Sequence, residues 1–287
     1  MLADVVLQGL LLGGLYALFA LGLSLMFGVM RLTNTAHGDF IVLAAFGAIG
    51  VASMLAVQPW IAALVVLPLC FVLGYALQRW VLNGTLGKDP LPSLVVTFGL
   101  SIVLQNALLE GFSADPRSLD SGGLSTLSLP LTAQTSVGVL PLAIFATALA
   151  TTVALQALFD RTSLGRSFRA VSDDRDVAEL MGLDARRVYA LATGIAFLVV
   201  AVAGVFQAMR TTVAPSDGPL LLLFAFEAVI IGGMGSFWGT FLGALALGLT
   251  QQIGFRIDPG WGIWFGHLMF LCVLVVRPQG LFPKTRG

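Results

Sequence analysis

Few side chains in this 287-residue chain could take part in chemistry, and they are widely spread. Asn34, His37 and Asp39 fall within six positions just past a long apolar run. Glu227 stands alone among apolar neighbours, and Ser236 and His267 lie in or beside late apolar runs. His37 has no second histidine or cysteine nearby, which argues against a metal site. Ser236 with His267 is superficially the kit of an intramembrane serine protease. However, Gly-Met-Gly-Ser-Phe places the serine after the second glycine and lacks the Gly-x-Ser-x-Gly elbow. There is no Gly-x-x-x-x-Gly-Lys phosphate loop, so the chain cannot itself hydrolyse ATP. What remains is a small set of polar groups in costly surroundings.

That cost says what must surround them. An Asp at the centre of a bilayer costs about 2.5–3.5 kcal/mol on insertion scales. Asn34, His37 and Asp39 are therefore expected to cap a broken helix or to line a wet path. A capping and turn role for Asn34 and Asp39, and contact with a passing substrate or a gate, both stay open. Glu227 is either neutral and hydrogen-bonded between helices or facing water in a pathway. No second acid in its segment offers a proton relay.

The elements that must position these groups are apolar helices. Hydrophobic residues make up 57% of the chain and charged residues only 10%, against roughly 25% charged in soluble domains. Such a surface suits lipid, so the chain reads as an all-α polytopic membrane protein. The 15 basic and 15 acidic residues cancel, which argues against nucleic acid as a partner. Cys70 and Cys272 suggest no disulfide framework. Apolar segments occupy residues 5–30, 40–57, 60–81, 94–109, 137–159, 188–209, 237–255 and 261–276, with a shorter ninth at 220–234 that contains Glu227. A bundle of about eight to nine transmembrane helices follows. The first run has no basic residue ahead of it, as a secretory signal would, and is expected to be retained as a span.

Charge orients the bundle. If all nine segments cross with the N-terminus outside, twelve of the 15 basic residues are cytoplasmic, among them Arg31, Lys88, Lys284 and Arg286. Arg117, Arg210 and Arg256 are then outside. This places the 111–136 loop in the periplasm, and the 160–187 loop and the C-terminus in the cytoplasm. The 160–187 loop is the most charged stretch, with six basic and six acidic residues. Ser172 or Asp173 is expected to cap a short helix through Asp174, Asp176 and Glu179, stopped by Gly182. Val177, Leu180 and Met181 share one apolar face of it. About two turns of helix are not stable alone in water, so that face needs something to dock on, either its own bundle or a cytoplasmic partner.

Glycines mark close helix approach. Gly9 and Gly13, and Gly235, Gly239 and Gly243, recur every four residues, and Gly232 and Gly233 precede the second set. The spacing fits internal packing in lipid, with a dimer seam as the alternative.

Four stretches in order carry a resemblance. Asn34-Thr35-Ala36-His37-Gly38-Asp39-Phe40 is the first. The second is Leu164-Gly165-Arg166-Ser167-Phe168-Arg169-Ala170-Val171, followed by Asp174, Ala178 and Met181-Gly182-Leu183. Gly232-Gly233-Met234-Gly235-Ser236-Phe237-Trp238-Gly239 and Arg277-Pro278-Gln279-Gly280-Leu281-Phe282 complete the set. Together they resemble the permeases of bacterial branched-chain amino-acid ABC importers, of LivH/LivM type and closer to the LivH half. The resemblance implies one permease domain over residues 1–287 in the bacterial inner membrane. It implies a heterodimer with a second related permease, two cytoplasmic ATPase subunits that hold ATP and Mg²⁺, and a periplasmic substrate-binding protein. Gly165, Arg169, Asp174, Val177, Leu180, Met181 and Gly182 then form the coupling region, and the cargo is Leu, Ile or Val, or a related small solute such as urea or an amide. A stand-alone secondary transporter is the rival class; it would be expected to show repeats and paired mid-span ionisable groups.

Overall fold

The computed structural model describes residues 2–87, 91–132 and 135–282. Each apolar segment becomes a helix. The first two are α1 (Leu2–Met30) and α2 (His37–Leu55), followed by α3 (Pro59–Trp80), α4 (Leu91–Phe112) and α5 (Val139–Arg161). Two short helices come next, α6 (Ser163–Asp173) and α7 (Arg175–Leu180). The chain then continues through α8 (Ala185–Arg210), α9 (Gly218–Gly232), α10 (Phe237–Ile257) and α11 (Gly262–Val276). Six of these, α1 to α5 and α8, are long and apolar enough to cross a membrane unaided. The α9–α10 pair bends by 117° at its break, and α11 is a shorter apolar helix. At 1.5 Å per residue the 15-residue α9 and α11 reach only about 22 Å, less than a ~30 Å hydrocarbon core.

Helices α1 and α8 form the centre. Leu18, Leu21, Leu25, Phe197 and Ala201 are essentially inaccessible. By contrast α3, α4 and α5 keep apolar residues such as Leu64, Leu69, Phe98, Val103 and Val153 on the outside. An outside this apolar is stable only against lipid or another apolar surface.

The connections sort cleanly between the two ends. At one end Ser172 Oγ donates to the Gly28 carbonyl (2.8 Å) and Asn83 Nδ2 to that of Arg186 (3.1 Å). The tail returns to the same end, where Leu281 and Phe282 N–H groups donate to the Ile231 and Gly232 carbonyls. At the other end Arg117 and Val213 exchange backbone hydrogen bonds, and Leu119 N–H donates to the Ala208 carbonyl. Gly9 and Gly13 pack on Leu249 and Leu245, so α10 runs antiparallel to α1. Arg31, Arg79, Arg161, Arg166, Arg169, Arg175, Arg186, Arg187 and Arg277 thus gather at the end that carries α7, while Arg117, Arg210 and Arg256 lie at the other. Lys88, Lys284 and Arg286 lie outside the described residues, as does part of the polar loop at 83–90.

The 111–136 loop is not wholly irregular. It holds an antiparallel hairpin of β1 (Ser128–Thr132) and β2 (Thr135–Gly138), an addition to the all-helical expectation. A two-stranded ribbon is all edge, so Pro130, which has no N–H to donate, is tolerated there.

Candidate functional site

The polar cluster past the first helix sits at a break inside the bundle. α1 ends at Met30, but His37 Nε2 lies 2.8 Å from the carbonyl of Phe19, about eleven residues back along α1. The chain therefore doubles back by roughly 16 Å over residues 31–36, within the reach of six extended residues. Helix α2 starts only there. Irregular backbone at this depth is tolerable where protein satisfies its polar groups. Ala36 N–H donates to Asn34 Oδ1 (3.0 Å), His37 N–H to the Asn34 carbonyl (3.2 Å), and Thr35 N–H to Thr97 Oγ1 (3.2 Å). Asn34 thus shapes a turn. Asp39, also buried, accepts from Gln105 Nε2 on α4 through Oδ1 (3.0 Å), while Oδ2 has no hydrogen-bond partner among the described residues. Gly38 and the first residue of α9, Gly218, touch backbone to backbone, and a side chain on either would collide with its neighbour. Two helix starts meet at the middle of the bundle.

Glu227 lies in α9, is buried, and has its partner on another helix. Its Oε1 is 2.5 Å from His267 Nδ1 on α11. One turn before it, Phe224 stacks between Tyr16 and His267, and the Tyr16 hydroxyl donates to Gln251 Oε1 (2.6 Å). Sequence reasoning set His267 aside. Forty residues separate the pair, and only the packing of α11 on α9 joins them. Among the described residues Glu227 Oε2 and Gln251 Nε2 have no hydrogen-bond partner. Among the described residues no three His, Cys, Asp or Glu side chains gather to hold a metal ion.

The charged loop folds as two helices rather than one. Thr162 caps α6 by accepting from Gly165 N–H (3.0 Å), and Gly165, Phe168 and Val171 turn one face inward. A side chain at Gly165 would strike the carbonyls that end α5. Arg169 donates to the Phe159 carbonyl and lies 3.9 Å from Asp160. The expected cap at Ser172 or Asp173 is corrected: Asp174 caps α7, accepting from Val177 N–H (3.0 Å). Ser172 and Asp173 still belong to α6, and Ser172 is occupied with Gly28. Asp174 alone has the extended backbone an N-cap needs, with φ −150° and ψ 111°. Gly182, at φ +88°, stops the turn after α7 as expected. Only Ala178 of α7 is buried. Val177, Leu180 and Met181 are 54%, 87% and 81% exposed, so the described residues leave them largely uncovered.

The glycine sets pack inside the chain. Gly9 and Gly13 face α10. Gly239 and Gly243 face Gly232 and Ala228 of α9, and Gly233 and Gly235 make the turn between those helices with positive φ. A methyl on Gly28 would sit 3.2 Å from Gly235 Cα, so the turn lies under the end of α1.

The sequence model of the family described as "Branched-chain amino acid transport system / permease component" matches residues 5–276. The chain is 27% identical to the high-affinity branched-chain amino acid transport system permease protein BraD of Pseudomonas aeruginosa, over 96% of this chain and 94% of that one. It is 28% identical to the corresponding permease protein LivH of Salmonella typhimurium, with the same coverage. A solved structure, PsaBC from Streptococcus pneumoniae in complex with Fab, superposes with a TM-score of 0.51 at 12% identity, over 97% of both chains, a likeness of fold. A bundle with a broken second crossing, a backbone-tight junction of two helix starts and an uncovered apolar elbow is thus matched along nearly its whole length, and the chain belongs to the family of branched-chain amino acid transport system permease components.

Proposed function

We propose that the chain is the membrane-spanning subunit of an ATP-driven importer of branched-chain amino acids in the bacterial inner membrane. It works with a second related permease, two cytoplasmic ATPase subunits that hold ATP and Mg²⁺, and a periplasmic binding protein. The observation that carries this reading is the bare face of Val177, Leu180 and Met181 on α7, at the end of the bundle that gathers nine arginines. Apolar side chains in water are a cost that a partner's groove removes. By the positive-inside rule this end is cytoplasmic, which puts the N-terminus in the periplasm and the C-terminus in the cytoplasm. Closure of the ATPases on α7 would act through α6 on the ends of α5 and α1, where Arg169 and Ser172 are tied. Membership of the family supports an importer subunit over a stand-alone secondary transporter.

Reconstitution tests the reading. Proteoliposomes with the lone chain should accumulate no L-leucine, and those with all partners and ATP should. Accumulation by the lone chain, abolished by a protonophore, would sink it. Orientation has a separate test in cells, with Cys70 and Cys272 replaced. Cysteine at exposed Thr126 should react with an impermeant thiol reagent and cysteine at exposed Glu179 should not. The reverse pattern would invert the topology.

A further inference from the structure

A cavity of about 360 Å³ opens between α1, α8, α9, α10 and α11, and none of the sequence motifs contributes to it. Its lining is graded. Leu15, Phe19, Leu221 and Phe224 supply an apolar interior, and Arg210 and Asp217 supply two opposite charges. Arg210, the last residue of α8, comes from the end of the bundle where Arg117 meets Val213, whereas Asp217 directly precedes Gly218 and so lies beside its contact with Gly38. Phe19 is deeper, where its carbonyl meets His37 at the broken crossing. The cavity therefore runs from Arg210, near one end of the bundle, to Asp217 beside the junction of α2 and α9, along an apolar floor.

The two charges are not spent on each other or on a neighbour. Arg210 makes no ion pair or side-chain hydrogen bond among the described residues. Asp217 uses Oδ2 to accept from Ala214 N–H (2.8 Å), which fixes its carboxylate and leaves Oδ1 without a partner. Charged side chains within a membrane bundle ordinarily pair with one another or face a pathway. An unpaired cation and an unpaired anion lining one cavity, beside an apolar floor, match a zwitterion with an apolar tail. The volume lies within the roughly 300–1,000 Å³ usual for small-ligand pockets.

We infer that this cavity is a transient seat for an α-amino acid with an apolar side chain, in which Arg210 receives the α-carboxylate, Asp217 the α-ammonium, and the Leu15/Phe19/Leu221/Phe224 floor the side chain. The proposal rests on the reading of the chain as an amino-acid permease and adds where this subunit recognises the cargo. Planar guanidinium pairs with carboxylate through two parallel hydrogen bonds, which orients the molecule with its side chain inward. Tyr16, Gln207, Gln251 and Gln252 also line the cavity, with the Tyr16 hydroxyl already donating to Gln251, and a transport seat has to hold its occupant weakly enough to let it pass on.

The test uses the assembled permease–ATPase complex without binding protein, with Cys70 and Cys272 replaced and a reporter cysteine at the cavity residue Leu220. L-Leucine should slow thiol labelling at that cysteine. 4-Methylpentanoate, which lacks the ammonium, and 3-methylbutylamine, which lacks the carboxylate, should protect less, and urea not at all. Arg210→Gln should raise the L-leucine concentration for half-protection about 10- to 100-fold, the effect of losing a charge-assisted hydrogen bond. It should also erase the preference for leucine over 3-methylbutylamine. Arg210→Lys should restore part of both, and Asp217→Asn should erase the preference over 4-methylpentanoate. Unchanged protection in Arg210→Gln and Asp217→Asn overturns the assignment, as does absence of protection while the complete importer takes up L-leucine. In either of those cases the proposed function stands. If the complete wild-type importer takes up no L-leucine, the proposed function itself fails, and this seat with it.

Discussion

Two regions break the usual placement of side chains in opposite senses. At the broken crossing and the α9–α11 contact, polar groups lie where water is scarce: Asn34, His37, Asp39 and Glu227 are all buried. At α7, apolar groups lie largely exposed among the described residues. The first region has largely solved its problem internally, through Phe19, Ala36, Gln105 and His267. The second has not, because α7 is six residues long and only Ala178 reaches the bundle. A buried polar group without a partner destabilises its own fold, whereas an exposed apolar face costs little until another surface covers it. One region therefore bears on the integrity of the fold, and the other leaves an apolar face open to a second surface.

The sharpest way to break that contrast is Leu180→Asp. If a partner buries α7, an unpaired carboxylate in the interface costs several kcal/mol, and ~3 kcal/mol is roughly a 100-fold loss of affinity. Co-purification of the ATPase subunits should be lost while permease abundance stays normal, since the residue is 87% exposed in the lone chain. Leu180→Met keeps volume and apolarity and should be nearly silent. An intact, transporting complex carrying Leu180→Asp would make α7 a passive loop.

The buried region should behave in the reverse manner, with stability falling before assembly does. Glu227→Leu removes the partner of His267 and should lower stability by about 1–3 kcal/mol, read as a lower Tm in detergent. Glu227→Gln keeps the shape and can still accept a hydrogen bond, so it should lose much less. Equal Tm values for both variants would mean that the His267 contact contributes nothing. Asn34→Ala should cost about 1 kcal/mol by freeing the Ala36 N–H inside the turn. Asn34→Asp retains the acceptor and discriminates the lost hydrogen bond from a lost contact with solute: restored stability with transport still absent would point to the solute.

How much of this was legible in the sequence depended on whether the cause was local. Segment positions were legible because apolarity is a local property, and so was the helix break at Asn34, His37 and Asp39, because polar groups beside a span announce their cost. The C-terminal stop at Gly182 was local too. The Glu227–His267 pair was not, since it depends on how α11 lies across α9. Helix α6 went unread because six of its eleven residues are serine or charged, although Gly165, Phe168 and Val171 at i, i+3 and i+6 carry its inward face. The cap of α7 moved from Ser172 or Asp173 to Asp174 because Ser172 is drawn to Gly28, a residue 144 positions away. Arg210 and Asp217 served only as charges to be counted in a loop; their shared cavity exists only once α8 and α9 are packed.

The smallest expected effect lies between the two regions, at the start of α8. Asp184 caps that helix, accepting from Arg187 N–H (3.1 Å), and lies 3.5 Å from Arg79. The Arg187 N–H, and then the Arg79 charge, hold its carboxyl below the usual carboxylate range. A group depressed in the folded state binds fewer protons there than in the unfolded chain, so its contribution is full above the ordinary Asp value, ~3.9, and is lost as pH falls through the depressed value. Asp184→Ala removes cap and charge together and should cost about 0.5–2 kcal/mol at neutral pH. Asp184→Asn keeps a good cap and loses only the charge, so its deficit should be a few tenths of a kcal/mol, smaller in high salt because the pair is exposed. The Tm gap between wild type and Asp184→Asn should therefore close as pH falls below about 4, while the gap to Asp184→Ala narrows without vanishing. A wild-type-to-Asn gap independent of pH and salt would assign the effect to packing, and place the start of α8 with the buried region instead of the charged end that carries α7.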